Sequence, residues 1–281
     1  MASLQTARSF LFAPGSEERK LVRALESAAD AVVADLEDAV APAEKAAARA
    51  LSARLLAEGE GDAVCLVRVN GVGTEWHDAD VAAVAEAGVD GVVVPKATAA
   101  AVNAVGERLD LPIVAIVETA IGLREAFAIA SHERVEVLML GALDLGLELG
   151  LEQREDGQEI LFARSSLVLD SAAARLRGPA DRVWVDVRDL DGLARDCHLG
   201  RSLGFSGKAL VHPDQIAPTH EAFAPSASEL RRAREIVAAF DRAVGEGRGV
   251  VALDGEMIDA PVVERARELL SDEKRSVLHA E

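Results

Sequence analysis

Short apolar, valine-rich runs alternate with longer alanine-rich segments of helical period along the whole chain. The runs are apolar at successive positions, which is typical of parallel strands buried on both faces. The predicted strands are Ser9–Ala13, Ala31–Leu36, Ala63–Val69, Gly91–Val94, Pro112–Val117, Val135–Leu140, Arg182–Val185 and Lys208–Val211. The intervening segments predict helices, among them Glu17–Ala28, Ala43–Ala57, Asp78–Ala87, Ala120–Ala130 and Leu161–Leu176.

This alternation predicts an α/β protein built as a (β/α)₈ TIM-type barrel, because eight strand–helix units fill one barrel of this length. A doubly wound open sheet is the alternative, since pattern alone does not show whether a sheet closes. In a barrel, we expect functional side chains at the carboxyl ends of the strands.

The C-terminal part of the chain has a different pattern. The helix candidate Ala227–Val244 is followed by a glycine-rich stretch, then by VVALDGEMIDAP, then by the helix candidate Val262–Ser271. This segment is too long for a barrel loop and too apolar for a disordered tail. We therefore expect a barrel over residues 1–224, and over 225–281 a helical extension and lid that packs on a neighbouring subunit.

Composition narrows the possible partners. Half of the residues are hydrophobic but only 3% are aromatic, so the core must be built from Ala, Val, Leu and Ile. A net charge of −18 argues against a nucleic-acid partner, which requires a basic surface. Neither a signal peptide nor an apolar stretch long enough to span a bilayer is recognisable, which predicts a cytoplasmic protein without a membrane partner.

Two acids follow neighbouring predicted strands. Glu118 comes directly after the run that ends at Val117, and Asp144 lies in the loop beyond Leu140. Each has a simple alternative interpretation, as an acid favoured at a helix N-terminus or as a helix cap. Two carboxylates completed by water and substrate oxygens are, however, a common way of binding Mg²⁺.

Other strand ends also carry polar groups. Arg68 in VRVNG suits a substrate carboxylate, because its planar fork binds two oxygens at once; a salt bridge to the acids of DLED is the alternative. Lys96 in VVVPK is either a Schiff-base lysine or a structural ion pair. The substrate-binding candidates are Arg68, Pro14, Gly15, Lys96, Gly141 and Ala142.

Eight motifs in order resemble one known family. They are RSFLFAPGSEERKLVRAL, ADAVVADLEDAVAPAEKAAAR, VRVNG, VVVPKA, VAIVETAIGL, GALDLGLELG, GFSGKALVHPDQI and LDGEMIDAPVVERA. Together they resemble the citrate lyase β-subunit group of the HpcH/HpaI aldolase superfamily, from about Arg8 to Ala266. One departure is Leu143, where many relatives carry a second acid beside the residue matching Asp144.

The resemblance implies a barrel in which Glu118 and Asp144 hold Mg²⁺ and Arg68 binds an α-keto acid. It implies that Glu37 and Asp38 act through water or through Arg68. It further implies that Asp259, in the MID motif, is the catalytic acid/base and reaches the site from a neighbouring subunit of a homotrimer or hexamer. The phosphates of an acyl-CoA need local cations, for which Arg19, Lys20, Arg23 and Lys45 are candidates; a solvated helix face is the alternative.

We therefore expect a Mg²⁺-dependent carbon–carbon lyase. It would cleave or form a 3-hydroxyacyl thioester such as citryl-CoA, malyl-CoA or citramalyl-CoA, giving oxaloacetate, glyoxylate or pyruvate plus an acetyl thioester. The thioester would be carried by CoA or by an acyl-carrier protein. The alternatives are a class II metal-dependent aldolase acting on free hydroxy-keto acids and a non-catalytic subunit that binds a keto acid.

Overall fold

A computed structural model describes residues 3–59, 61–152, 154 and 156–278, with side chains up to residue 271. The chain divides into two compact units, Met1–Phe223 and Ala224–Glu281. The final residues of the predicted extension, 279–281, lie outside the described part of the chain. No helix in the described ranges is long and apolar enough to cross a membrane.

The first unit is a closed barrel of eight parallel strands in the order of the chain, which confirms the predicted fold. The strands are β1 (Ser9–Pro14), β2 (Ala31–Asp35), β3 (Val64–Arg68), β4 (Gly91–Val94), β5 (Ile113–Val117), β6 (Val135–Leu140), β7 (Ala180–Asp181) and β8 (Gly207–Leu210). The barrel closes where β1 pairs with β8.

Helices surround this barrel. They are α1 (Glu18–Leu25), α2 (Lys45–Glu58), α3 (His77–Glu86), α4 (Ala99–Gly106), α5 (Ala120–Arg124), α6 (Ala126–Ala130), α7 (Ala142–Leu149), α8 (Leu161–Ala173), α9 (Leu190–Leu203) and α10 (Ile216–Phe223). The predicted helix Ala120–Ala130 is therefore two short helices, divided at Glu125.

Alternate strand residues face opposite sides, as the period of a strand requires. Val33, Leu66 and Val114 belong to one buried cluster inside the barrel. Val32 and Val92 belong to a second buried cluster that includes the helices. Because both faces are covered, small and branched apolar residues at successive positions form these strands, which explains the pattern in the sequence.

The seventh strand differs from its prediction. It comprises only Ala180 and Asp181, whereas the sequence predicted Arg182–Val185. Beyond Asp181, the carbonyl of Trp184 accepts a hydrogen bond from the side chain of Gln215 at 2.8 Å, and Val185 is largely exposed. The apolar run therefore continues without strand pairing, because a side chain takes the place of a neighbouring strand.

A buried ion cluster lies beside the short seventh strand. Arg164 on α8 is fully buried and donates to Asp181 and Asp196, both at 2.7 Å. Lys208 on β8, also fully buried, lies 2.6 Å from Asp196. Burial alone would raise the pKa of Asp196, but Lys208, Arg164 and Arg182 outweigh it and hold that pKa well below its usual range. These pairs join β7, β8, α8 and α9 where backbone pairing is short.

The second unit contains two long helices and a hairpin: α11 (Ala227–Gly245), β9 (Val251–Leu253), β10 (Glu256–Ile258) and α12 (Ala260–Leu278). Ser226 and Glu229 form a reciprocal capping box at the start of α11. Arg232 on α11 binds Asp254 and Glu256 of the hairpin at 2.6 and 2.8 Å. The tail is thus an ordered unit with its own helix pairing. Its expected packing on a neighbouring subunit stays a prediction.

Replacing Arg164 with Met should destabilise the barrel by about 3–5 kcal/mol, because Asp181 and Asp196 would lose a buried partner. Arg54→Met is the control, since Arg54 and Glu18 form an exposed pair at 2.8 Å, and the loss of a pair screened by solvent should destabilise the protein far less. Urea unfolding of both variants measures the difference. Equal losses of stability would mean that the buried cluster contributes no more than a surface ion pair.

Candidate active site

The carboxyl ends of the strands surround a cavity of about 660 Å³. Its inner wall is apolar, with Phe12, Ile116, Met139 and Ala209 among its lining residues. Its charged lining comes from the ends of β2, β3, β5 and β6 and from α1; these residues are Asp35, Asp38, Arg68, Glu118, Asp144, Lys20 and Arg23. The cavity thus combines a dry floor with a charged mouth.

Arg68 is fixed at this mouth by Asp35. Its Nε and Nη2 donate to the two oxygens of Asp35 at 2.7 and 2.6 Å, which is a bidentate pair. Asp35 also accepts the backbone N–H groups of Glu37 and Ala39. The guanidinium therefore has a rigid orientation, and its remaining nitrogen, Nη1, lies 3.1 Å from Glu37 and 3.5 Å from Asp38.

Glu37 is a buried acid between two cations. Its Oε1 accepts from the ammonium of Lys96 at 2.7 Å, and its Oε2 lies beside Arg68. Burial raises the pKa of Glu37, and Arg68 and Lys96 only partly offset this effect. Asp38, by contrast, has a largely exposed side chain. The two predicted catalytic acids of DLED thus have different environments.

Glu118 directly follows β5 and is 3% exposed. Its Oε1 accepts the backbone N–H of Lys96 at 2.7 Å. Burial raises its pKa to about 8, and the negative charges of Glu37 and Asp144 add to that increase. The other oxygen, Oε2, lies beside Gly141, where an added Cβ would be only 2.5 Å away. Gly141 thus leaves the space that this carboxylate occupies.

The turn after β4 has an unusual backbone. Lys96 has a φ of 45°, although it is not glycine. A side chain in this left-handed region costs about 1–2 kcal/mol. Pro95 and Lys96 form the turn after β4, and a turn position with positive φ usually favours Gly or Asn. A lysine at that position is therefore strained.

Asp144 lies in the first turn of α7, which begins beside Glu118. Gly141 donates its N–H to the carbonyl of Val117, and its own carbonyl accepts from Leu145. The N–H groups of Ala142, Leu143 and Asp144 have no carbonyl acceptor within the helix, as at any helix start. Since all three residues line the cavity, the helix start suits an anionic group.

Glu118 and Asp144 fit Mg²⁺. The described residues contain no group of three or more His, Cys, Asp or Glu that could hold a metal ion without other ligands. Mg²⁺ does not need one, since it is commonly held by one or two carboxylates together with water and substrate oxygens. The negative charge of Asp144 adds to the raised pKa of Glu118, and a divalent cation bound there would offset that repulsion.

Two other predicted residues, Gly15 and Lys45, have different environments from those expected. Pro14 lines the cavity, but Gly15 packs behind it, where a Cβ would lie 2.6 Å from Ser52 and 2.9 Å from the carbonyl of Asp35. Lys45, a candidate for CoA phosphates, is buried, and its ammonium donates to the carbonyls of Leu36 and Glu37 and to Asn70, each at 2.7 Å. It is therefore a structural cation, neither a phosphate ligand nor part of a solvated face.

Lys96 forms the ion pair with Glu37 that was one of its two interpretations. Lys96 is not among the described residues that line the cavity containing Glu118 and Asp144; it lines a second cavity together with Glu37. Asp259 belongs to the second unit, where its Oδ1 accepts from the N–H of Val262 at 3.4 Å, near the start of α12. The catalytic role of Asp259 stays a prediction.

The sequence offered a salt bridge between Arg68 and the acids of DLED, which the structure confirms; the first of those acids is Asp35. In the structure it is the main partner of Arg68, and the two residues are direct neighbours in the β2–β3 register. Aligning the apolar runs of β2 and β3 in parallel would have found this pair, because Asp35 ends the first run and Arg68 ends the second. The register itself was not predicted.

The HpcH/HpaI aldolase/citrate lyase family model matches residues 8–213. The chain belongs to this family. It is 41% identical over 269 residues to a (3S)-malyl-CoA thioesterase of Cereibacter sphaeroides strain KD131, covering 94% of this chain and 93% of the relative. It is 35% identical over 300 aligned positions to the citrate lyase subunit β of Escherichia coli K12, covering 100% and 99%.

The crystal structure of the protein CitE from Mycobacterium tuberculosis, in complex with magnesium, acetoacetate and coenzyme A, superimposes with a TM-score of 0.83. It is 33% identical and covers 96% of this chain and 99% of that one. The resemblance predicted from eight motifs is thus confirmed, and with it an enzyme of a carbon–carbon lyase family.

Gly141→Ala should displace the Glu118 carboxylate, because the new Cβ would lie 2.4 Å from Glu118 Cβ. We expect Mg²⁺ affinity to fall by roughly tenfold or more, the usual effect of disturbing the groups that orient a metal ligand. Gly146→Ala on the same helix is the control, since nothing lies within 4 Å of its Cβ position. Calorimetric titration with Mg²⁺ compares them; equal affinities would contradict the role of Gly141.

Proposed function

We propose that this chain is a Mg²⁺-dependent lyase that cleaves or forms a 3-hydroxyacyl thioester, with an α-keto acid and an acetyl thioester as the other side of the reaction. The observation that carries the proposal is that one cavity at the carboxyl end of the barrel brings together Glu118, Asp144 and Arg68. Two carboxylates for a metal and a fixed guanidinium for a carboxylate meet the needs of a small keto acid.

Glu118 and Asp144 would hold the metal. When bound, Mg²⁺ supplies Lewis-acid polarisation of the hydroxyl that becomes the keto group. The magnesium and acetoacetate in the M. tuberculosis relative support this assignment. Arg68 would bind and orient the keto acid through the N–H groups that its bidentate pair with Asp35 leaves unused, on Nη1 and Nη2. The first N–H groups of α7 would receive the substrate carboxylate.

The thioester half would enter from the rim. Lys20 and Arg23 on α1 line the same cavity and are candidates for the CoA phosphates. The coenzyme A in the M. tuberculosis structure supports an acyl-CoA substrate. The hydroxyl gives up its proton as it becomes the keto group, and the bond between the hydroxyl-bearing carbon and the α-carbon of the thioester breaks. The electron pair of that bond stays on the thioester as an enolate, which takes up a proton, so that no proton is gained or lost overall. Asp259 of a neighbouring copy is the donor that the resemblance implies.

We further propose that the enzyme is a homotrimer or hexamer. Several large apolar side chains on helices α5 to α8 are exposed, among them Ile121, Phe127, Leu147, Phe162 and Leu169. Exposed apolar side chains concentrated on adjacent helices favour a protein interface. This surface and the acid/base assignment support each other, because a proton donor from another copy requires a stable assembly.

Hydrolysis of the thioester is a second candidate function. It is favoured by the 41% identity to a (3S)-malyl-CoA thioesterase, which extends over nearly the whole of both chains. The two reactions differ in the bond that breaks. Cleavage breaks a carbon–carbon bond and conserves the thioester, whereas hydrolysis breaks the carbon–sulfur bond and releases free CoA thiol.

The purified protein should cleave at least one of malyl-CoA, citramalyl-CoA and citryl-CoA in the presence of Mg²⁺, producing a keto acid without free thiol. Trapping the keto acid as its phenylhydrazone and titrating thiols with a disulfide reagent measure the two products separately. Asp144→Asn should abolish Mg²⁺-dependent turnover, because one metal carboxylate is lost.

Thiol release without keto acid would instead establish hydrolysis as the activity. Turnover of free hydroxy-keto acids but of no thioester would indicate the class II aldolase. Binding of a keto acid without turnover of any substrate would contradict both catalytic proposals.

Asp259→Asn should lower kcat by roughly 10²-fold or more, the usual size of a lost general acid, while Mg²⁺ and pyruvate still bind. Asp254→Asn is the control from the same unit, since Asp254 pairs with Arg232 in the hairpin. Steady-state kinetics and calorimetry distinguish the outcomes. Loss of pyruvate binding in the Asp259 variant would count against an acid/base role.

A further inference from the structure

Lys96 contacts two acids, the proposed metal ligand Glu118 and its neighbour Glu37. Its backbone N–H donates to Glu118 Oε1 at 2.7 Å, and its ammonium donates to Glu37 Oε1 at 2.7 Å. Lys96, in the turn after β4, therefore connects Glu37, which follows β2, with Glu118, which follows β5. The two contacts use different parts of the residue, so their effects can be separated by substitution.

The backbone contact depends on the positive φ of Lys96. Type I and type II turns differ in the orientation of their central peptide group, which is rotated by about 180° between them. In the turn that contains Pro95 and Lys96, that peptide carries the N–H of Lys96. With a φ of 45°, this N–H points at Glu118; in a type I turn it would point away and the carbonyl of Pro95 would replace it.

This orientation selects which oxygen of Glu118 is available. Oε1 is held by the N–H of Lys96, while Oε2 lies beside Gly141 at the edge of the cavity. A carboxylate fixed by one oxygen presents the other in a defined direction. Hydrogen bonds of this kind to a metal ligand commonly change metal affinity by 10- to 100-fold.

We propose that the turn at Pro95 and Lys96 is the positioning element of the metal site, with the left-handed backbone of Lys96 aiming Glu118 Oε2 at the Mg²⁺. This inference rests on the proposed function, because it takes Glu118 as a ligand. Lys96 is thus a positioning residue through its main chain. Its ammonium has the separate task of holding Glu37 beside Arg68.

A pair of variants isolates the main-chain contribution. Lys96→Gly and Lys96→Val both remove the ammonium, but glycine adopts a positive φ freely whereas a β-branched residue strongly disfavours it. We expect Lys96→Val to weaken Mg²⁺ binding by roughly tenfold or more and Lys96→Gly to keep it within about threefold of the unchanged enzyme. Lys96→Ala should be intermediate and is the alternative if the valine variant does not fold.

Arg175→Val controls for backbone strain alone. Arg175 also has a positive φ, of 63°, and it lies after α8, away from the cavity lining. This variant should lower the thermal midpoint as Lys96→Val does, yet leave Mg²⁺ affinity unchanged. Calorimetric titration with Mg²⁺, together with the thermal midpoint with and without Mg²⁺, supplies both readouts without reference to turnover.

The outcomes separate this inference from the proposed function. If the unchanged enzyme binds no Mg²⁺, the metal assignment fails. If it binds Mg²⁺, the backbone role is supported when Lys96→Val loses affinity, Lys96→Ala loses less and Lys96→Gly keeps it. Equal weakening in the glycine and valine variants would show that the ammonium matters instead, and no weakening in either would show that Glu118 needs no such support. Both of those results overturn the inference.

Discussion

Carboxylates buried side by side raise one another's energy, and each needs a cation or a hydrogen-bond donor to remain ionised. The mouth of this barrel contains several such acids, and they are stabilised in different ways. Asp35 has a bidentate arginine, and Glu37 has an ammonium and a guanidinium. Glu118 has one backbone N–H, and its pKa stays raised to about 8. The least compensated acid is therefore the one best suited to bind a metal cation.

The same constraint explains how Arg68 is held. A guanidinium in a dry pocket needs a fixed partner, and Asp35 occupies two of its donors while backbone N–H groups fix Asp35 in turn. This chain of contacts leaves Nη1 as the donor nearest the other acids. In the proposed function, a substrate carboxylate would meet an oriented donor instead of a mobile side chain, which would reduce the ordering that binding requires. The rigidity of the site thus comes from pairing among its own charges.

Lyase and thioesterase relatives share this family, and the site is compatible with both reactions for a physical reason. In the proposed function, the acids, the arginine and the start of α7 would bind a keto acid or its hydroxyacyl precursor, whichever bond later breaks. The outcome depends on whether a proton donor or an activated water reaches the thioester.

Much of the molecule could be predicted from the sequence. Runs of apolar residues predicted seven of the eight strands closely, because strands covered on both faces leave a continuous pattern. The sequence singled out Glu118 directly behind such a run, Arg68 at the end of another and Asp144 in the loop after a third, and the structure brings all three to one cavity. The apolar run at Arg182–Val185 was misleading, because a side-chain hydrogen bond to Trp184 takes the place of strand pairing there.

Tertiary structure decided what those residues do to one another. The pairing of Asp35 with Arg68 depends on strand register, and the burial of Lys45 depends on carbonyls and an amide from elsewhere in the barrel. The strained turn at Lys96 and the space at Gly141 are likewise invisible in a linear pattern. Local sequence determines which groups reach the end of each strand, but distances between strands appear only when the barrel closes. The environment of each charge, and with it the site, is therefore a property of the closed barrel.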